Sequence, residues 1–238
     1  MSPPRLGALA ALLIPFLLGG CLSLPEQEEP PALYRLNAPS PVGQASGEAS
    51  AGELAVVAVE VPRMAPGLGT DRIALIQDER RIDYFAGARW VRPLPELLQD
   101  YFVEGLGKDL PGIQGARAGE VHRADYRLRV AVRDFQAVYA GGVDKAPRVR
   151  VTLEGSLEGP AGGETRLRRT RERKAPSNRL EEVVGTLEEL LADAYGALLR
   201  SLAEELETGA AKAGSVGTSP EGEPDAVPTE GQSSQLAR

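Results

Sequence analysis

The sequence predicts a single α+β domain in which a mostly antiparallel sheet is covered by two amphipathic helices. Residues 126–133 alternate apolar and mostly basic side chains, the period of a strand with one face buried. Two separate stretches, opening at Leu94 and Leu180, instead space their leucines by three and four, the period of a helix stripe. The order is strands, a hairpin, a helix, long strands and a last helix. That order is not the regular alternation of a parallel α/β sheet, and it favours helices packed on an antiparallel one.

Taken in chain order, Ala32–Leu36 is a short strand candidate, and Ser40–Gly52 is a loop of small and polar residues. Leu54–Val61 is an almost unbroken apolar run rich in valine, which suits a buried central strand and ends at Pro62. Ile73–Gln77 and Arg81–Phe85 flank Asp78-Glu79 as a hairpin. From Leu94 the stripe Leu97, Leu98, Tyr101, Phe102 and Leu106 builds a helix; Gly105 and Gly107 weaken its last turn, and Pro111-Gly112 stops it.

Tyr126, Leu128, Val130 and Val132 then alternate with Arg127, Arg129 and Arg133. Beyond them the phase inverts, with Phe135, Ala137 and Tyr139 apolar, so a bulge is expected near Asp134. Val149, Val151, Leu153 and Leu157 make a second half-buried strand. Glu164–Lys174 is so polar that it suits a sheet edge, where charge deters pairing with other chains. A basic surface for anionic lipid headgroups is the alternative. Asn178 and Glu181 have box-like helix-start spacing, and the apolar stripe from Leu180 to Leu206 runs for about eight turns. After Thr208 the composition is that of a disordered tail.

Composition narrows function. The 238 residues are 42% hydrophobic with a net charge of −7, enough apolar content for a core and no basic footprint for nucleic acid. One histidine and one cysteine are present, so no histidine–cysteine zinc site is expected. His122 has no Gly-x-Ser-x-Gly nucleophile elbow to serve, and no phosphate-binding glycine loop with its lysine occurs. No enzyme activity, cofactor or metal is expected.

The lone cysteine, Cys21, follows Arg5, an apolar run from Leu6 to Leu18 and two glycines. The run is too short to span a bilayer, which takes about 20 apolar residues, and fits a secretory signal. Leu18-Gly19-Gly20-Cys21 resembles the lipobox of bacterial lipoproteins. That resemblance implies removal of residues 1–20 and acylation of the Cys21 thiol and the new amine. Two or more chains anchor a protein stably where one does not. Residues 21–31 then form a tether, 32–207 the domain and 208–238 the tail. Leu22, where the sorting rule of enterobacterial type puts aspartate for inner-membrane retention, implies a periplasm-facing place on the outer membrane.

Pro66–Phe102 resembles the ABC-type transport auxiliary lipoproteins through Thr70-Asp71-Arg72-Ile73, Tyr84-Phe85, Ala86 with Trp90, and the helix opening at Leu94. The early Leu33-Tyr34-Arg35-Leu36 and the strand Ala124–Tyr139 are similar too. The resemblance implies a non-catalytic accessory protein. Its implied partners are an ABC permease and ATPase and an MCE-type periplasmic protein, moving phospholipid or other apolar molecules between membranes. A homo-oligomer is also implied as possible, and nucleic acid is not a partner. A structural envelope-integrity or outer-membrane assembly lipoprotein is the alternative. Docking surfaces favour aromatic and arginine side chains, so Tyr84, Arg89, Trp90 and Arg92 are the candidate partner interface, unless the two aromatics are core.

Overall fold

The computed structural model describes residues 29–37, 54–78, 80–159 and 164–215. The expected lipidation site Cys21, the expected signal segment and residues 216–238 lie outside them. The elements are β1 (Ala32–Tyr34), β2 (Ala55–Val59), β3 (Arg63–Met64), β4 (Arg72–Gln77), β5 (Arg81–Trp90), α1 (Leu94–Asp109), β6 (Ile113–Arg117), β7 (Tyr126–Tyr139), β8 (Arg148–Glu158), β9 (Glu164–Lys174) and α2 (Leu180–Ser215). They form one nine-stranded sheet with two helices, the α+β class the sequence predicts.

Strand β7 is the spine. Its 14 residues alternate strongly enough to bury one face along the whole length. One edge pairs antiparallel with β8, which pairs antiparallel with β9. The other edge is shared by three strands in succession: β2 at Tyr126–Leu128, β3 at Ala131–Val132 and β4 at Ala137–Tyr139, all parallel to it. Strand β5 lies antiparallel on β4, and β1 and β6 add short parallel ladders to β5 and β2. The long ladders are thus antiparallel and the short ones parallel.

The inverted phase in β7 is a register shift between Val132 and Asp134. One added residue there turns Phe135 and Ala137 to the same side as Leu128, Val130 and Val132. Both helices cover that side: α2 crosses β7, β8 and β9, and α1 lies over β2 and β6. The α1 stripe is buried as its spacing predicts, with Leu98, Phe102 and Leu106 fully enclosed. Along α2, Val183, Leu187, Leu191 and Ala194 are likewise sealed against the sheet.

Several local expectations change. Strands β3 and β6 occupy stretches in which the sequence reading places no strand. β6 (IQGAR) has a central glycine and little apolar pattern, but a Cβ on Gly115 would come within 2.4 Å of the Val103 carbonyl oxygen. The bare backbone there lets α1 sit close. β5 runs on to Trp90 because its weak middle, Ala86-Gly87-Ala88, forms a wide bulge: Arg72 faces Arg89 while Ala74 faces Tyr84, and Gly87 has φ +65°. Asn178 is not a helix cap. Its Oδ1 accepts from the Tyr139 hydroxyl at 2.7 Å and its Nδ2 donates to the Val143 carbonyl at 2.7 Å, so it pins the end of β7 to the following loop. Helix α2 also continues to Ser215, past the Thr208 at which the tail was expected to begin.

Gly105 has a role that propensity hides. A Cβ there would lie 2.3 Å from the Tyr195 ring of α2. Tyr195 stacks on Phe102 at 5.3 Å and donates its hydroxyl to the Phe102 carbonyl at 2.9 Å. Alanine gains about 1 kcal/mol over glycine in a helix, but overpacking costs about 1–3 kcal/mol. Gly105→Ala is therefore expected to lower stability in a denaturant titration, and Gly107→Ala, with open space at its Cβ, to raise it.

Candidate functional site

Arg89, Trp90 and Arg92 lie at the corner where β5 turns into α1 and Tyr84 earlier in β5, and the four divide between core and surface. Trp90 is 2% exposed and tilts against Phe135 with ring centroids 6.0 Å apart. Its backbone N–H donates to the Asp71 carbonyl at 2.7 Å, and the Leu94 N–H to the Thr70 carbonyl at 3.0 Å. The indole is thus part of the core. Tyr84 is half-buried; its hydroxyl donates to the Gly67 carbonyl at 3.1 Å, and the Arg72 guanidinium lies 3.8 Å over its ring. Arg89 and Arg92 are exposed. Arg89 donates from Nη1 to both oxygens of the Asp71 carboxylate, at 3.0 and 3.2 Å, on the surface.

Arg92 reaches across the first turns of α1 to Asp100, and Arg117 of β6 reaches the same carboxylate from the other side, its Nε at 3.0 Å. Arg117 also pairs with Glu120 at 2.8 Å. Partial burial alone would raise the Asp100 carboxyl, but hydrogen bonds from Arg117 and Arg92, with their charges, outweigh it and hold it below its ordinary value. Asp100 and Arg117 were not singled out in the sequence, because no periodicity marks an acid and a base brought together from two separate elements. Between this corner and the segment after β1 is a cleft of about 230 Å³, lined by Arg35, Leu36, Arg92, Asp100, Tyr101 and Glu104 among others.

The second polar surface is the side of β7, β8 and β9 that the helices leave uncovered. Glu60 holds Arg127 and Arg129, Glu154 holds Arg133 and Arg168, and Glu172 holds Arg148 and Arg150. Hydrogen bonding to Arg148 is the largest influence on Glu172 and, with Arg150, lowers its pKa against burial. Among the described strands β9 pairs only with β8 and is an edge. Its other face carries Arg169 and Arg173, which reach Ser201, Glu189 and Asp193 on α2. The charges at 164–174 therefore tie the edge to the helix as well as guard it.

His122 is exposed. Among the described residues no group of three or more histidines, cysteines or carboxylates is placed to hold a metal. No described helix is long and apolar enough to cross a membrane.

Comparison with known proteins gives one family, the ABC-type transport auxiliary lipoprotein component, matching residues 34–206. No curated protein matches the sequence significantly. Among solved structures, an uncharacterized protein is 19% identical with TM-score 0.59, covering 73% of this chain and 99% of its own. A DUF330-family protein of Xanthomonas campestris is 22% identical with TM-score 0.59, covering 70% and 91%. These likenesses show the fold.

Two outcomes follow from the corner. Trp90→Ala should cost about 3–5 kcal/mol, the range for a large buried aromatic, whereas Arg89→Ala should cost at most about 1 kcal/mol, the range for an exposed ion pair; chemical denaturation compares them. The depressed Asp100 pKa stabilises the fold fully above the unfolded value, near pH 4, and this contribution is lost as pH falls through the folded value. Acid unfolding of Asp100→Asn should accordingly show a shallower slope below about pH 4 than the parent.

Proposed function

The chain belongs to the ABC-type transport auxiliary lipoprotein component family, and on that premise we propose that it is the lipid-anchored accessory subunit of an intermembrane lipid-transport system. In this reading it stands on the periplasmic side of the outer membrane, held by acyl chains on Cys21. There it docks an MCE-type protein that works with an ABC permease and ATPase. The observation that carries the proposal is the span of the family match, residues 34–206, which takes in nearly every described element from β1 to the upper part of α2. The likeness therefore extends to the whole domain and is not confined to one motif.

The fold is compatible with a protein that meets other proteins. Both helices are spent on one side of the sheet, and the polar surfaces left over are the β5–α1 corner and the arginine-bearing side of β7–β9. At the corner, Arg89 and Arg92 are the exposed members of the candidate interface, with Tyr84 half-buried behind them; Trp90 contributes only by holding the backbone in place. Interface arginines contribute most when their charges are desolvated by a partner.

Affinity purification of the tagged chain from membranes in mild detergent should recover an MCE-type protein together with a permease and an ATPase. Recovery of outer-membrane assembly factors without them would favour a structural envelope role. Cys21→Ala should move the protein from the membrane pellet to the soluble periplasmic fraction, and membrane association unchanged by that substitution would refute the anchor.

A further inference from the structure

The uncovered side of the sheet carries a shaped site that the transport reading does not use. Register places Arg63, Ala131, Glu154 and Arg168 side by side across β3, β7, β8 and β9. The neighbouring row on that side holds Arg129, Ser156 and Arg166. Two small side chains, Ala131 and Ser156, thus sit in the middle of the rows, with long guanidiniums around them. The result is a groove of about 600 Å³ whose charged lining is Arg63, Arg129, Arg133, Arg166 and Arg168 against Glu154 and Glu164. That volume is in the range of ligand-binding clefts, about 300–1,000 Å³.

Among the described residues four of the five cations have carboxylate partners, Arg129 being held by Glu60 at 3.0 Å and Glu158 at 2.9 Å, but acids and arginines are not matched one to one. Glu154 accepts from Arg133 at 2.7 Å and is 3.2 Å from Arg168, so one acid serves two guanidiniums. Glu164 is 2.7 Å from Arg166, and that hydrogen bond is the main reason its pKa is lowered. Arg63 is exposed and has neither an ion pair nor a side-chain hydrogen bond among the described residues. Edge protection calls for charge, but not for five arginines facing one hollow in a chain of net charge −7. A guanidinium fork matches the oxygens of a phosphate, often in pairs of parallel bonds. Guanidiniums standing on both flanks of a hollow suit a tetrahedral anion, which offers oxygens in several directions, better than a flat carboxylate.

We infer that this groove binds a phosphate group, the tetrahedral anion shared by a phospholipid headgroup and free phosphate. Arg63, Arg166 and Arg168 are the ligating residues, and Glu154 competes with the anion for Arg133 and Arg168. The inference takes only the lipid as one source of the phosphate from the transport reading; the site itself rests on the groove.

Calorimetry on the full chain, extracted from membranes in a non-ionic detergent, tests this with two probes: inorganic phosphate and glycerophosphoglycerol, the soluble headgroup of an anionic phospholipid. Binding of the diester at least about tenfold tighter than that of phosphate identifies a headgroup site, and equal affinity a free-phosphate site. Arg63→Ala, which breaks no internal pair among the described residues, should weaken the bound probe about tenfold or more, since a charge-assisted hydrogen bond is lost. Glu154→Gln removes a competing negative charge and should tighten binding severalfold, an effect that a purely structural lattice would not give. Arg200→Ala, exposed on α2, should change nothing. Absence of binding by either probe, affinities indifferent to Arg63 and Glu154, or capture of a polyglutamate peptide in place of both probes would overturn the inference. A chain that binds neither probe yet still co-purifies with transporter components loses the groove and keeps the transport reading. The converse result keeps the groove and loses the reading.

Discussion

The fold depends on one strand being long enough to serve two edges at once. β7 receives β8 along nearly all of one side and three separate strands along the other. A strand of 14 residues twists too far to keep a single flat face, and the irregularity at Val132/Asp134 is where the face is re-aimed. Without it Phe135 and Ala137 would point to the uncovered side, and Trp90 would lose the ring it leans on. The core under both helices is continuous because that residue is there.

The same strand separates the chemistry of the two sides. Inward, Leu128, Val130, Val132, Phe135 and Ala137 meet α2 and the aromatic group of Tyr101, Phe102 and Tyr195. Outward, Arg127, Arg129 and Arg133 meet glutamates of neighbouring strands. Burial pushes the Tyr195 hydroxyl well above its ordinary pKa, with further help from Asp109 and Tyr101, so it stays a neutral donor to the Phe102 carbonyl at any physiological pH. An acidic chain thereby keeps an arginine-rich sheet surface, because the negative charge is gathered elsewhere, notably along α2 at Glu181, Glu182, Glu189 and Asp193.

Period carried most of the fold in the sequence. The stripes of α1 and α2, the alternation of β7 and β8 and the inverted phase near Asp134 are all readable because each long element repeats one burial rule. What escaped is what period does not encode. β3 is two residues between prolines, and β6 is held by an approach of α1 that only the missing Cβ of Gly115 permits. Gly105 reads as a helix weakness and acts as a contact. Asn178 and Glu181 have the spacing of a helix start, but the Asn178 amide is occupied by Tyr139 and Val143, partners 39 and 35 residues away. Of the candidate interface, the local sequence could place Tyr84, Arg89, Trp90 and Arg92 near each other, yet not say which were buried: that follows from the bulge at Gly87, which sets the side to which Trp90 turns. The groove was hidden for a related reason. Arg63 lies outside every strand the sequence predicts, and only register brings it level with Ala131 and Arg168.

Those positions bear on how a tethered domain would be oriented. The described fold begins at β1, and the arginine rows run across β3, β7, β8 and β9, beyond β5 and β4 from that strand. At about 4.8 Å per strand, β9 is roughly 24 Å from the entering strand. The segment between Cys21 and Ala32 spans at most roughly 40 Å when extended, at about 3.3–3.6 Å per residue. A tether of that reach exceeds the width of the sheet, so it limits the height of the domain above a membrane without fixing which surface faces down. Orientation must then come from contacts the domain itself makes. With the helices filling one side, those contacts fall to the β5–α1 corner, to the sheet edges and to the arginine groove, surfaces that differ in charge and so can favour different neighbours at the same time.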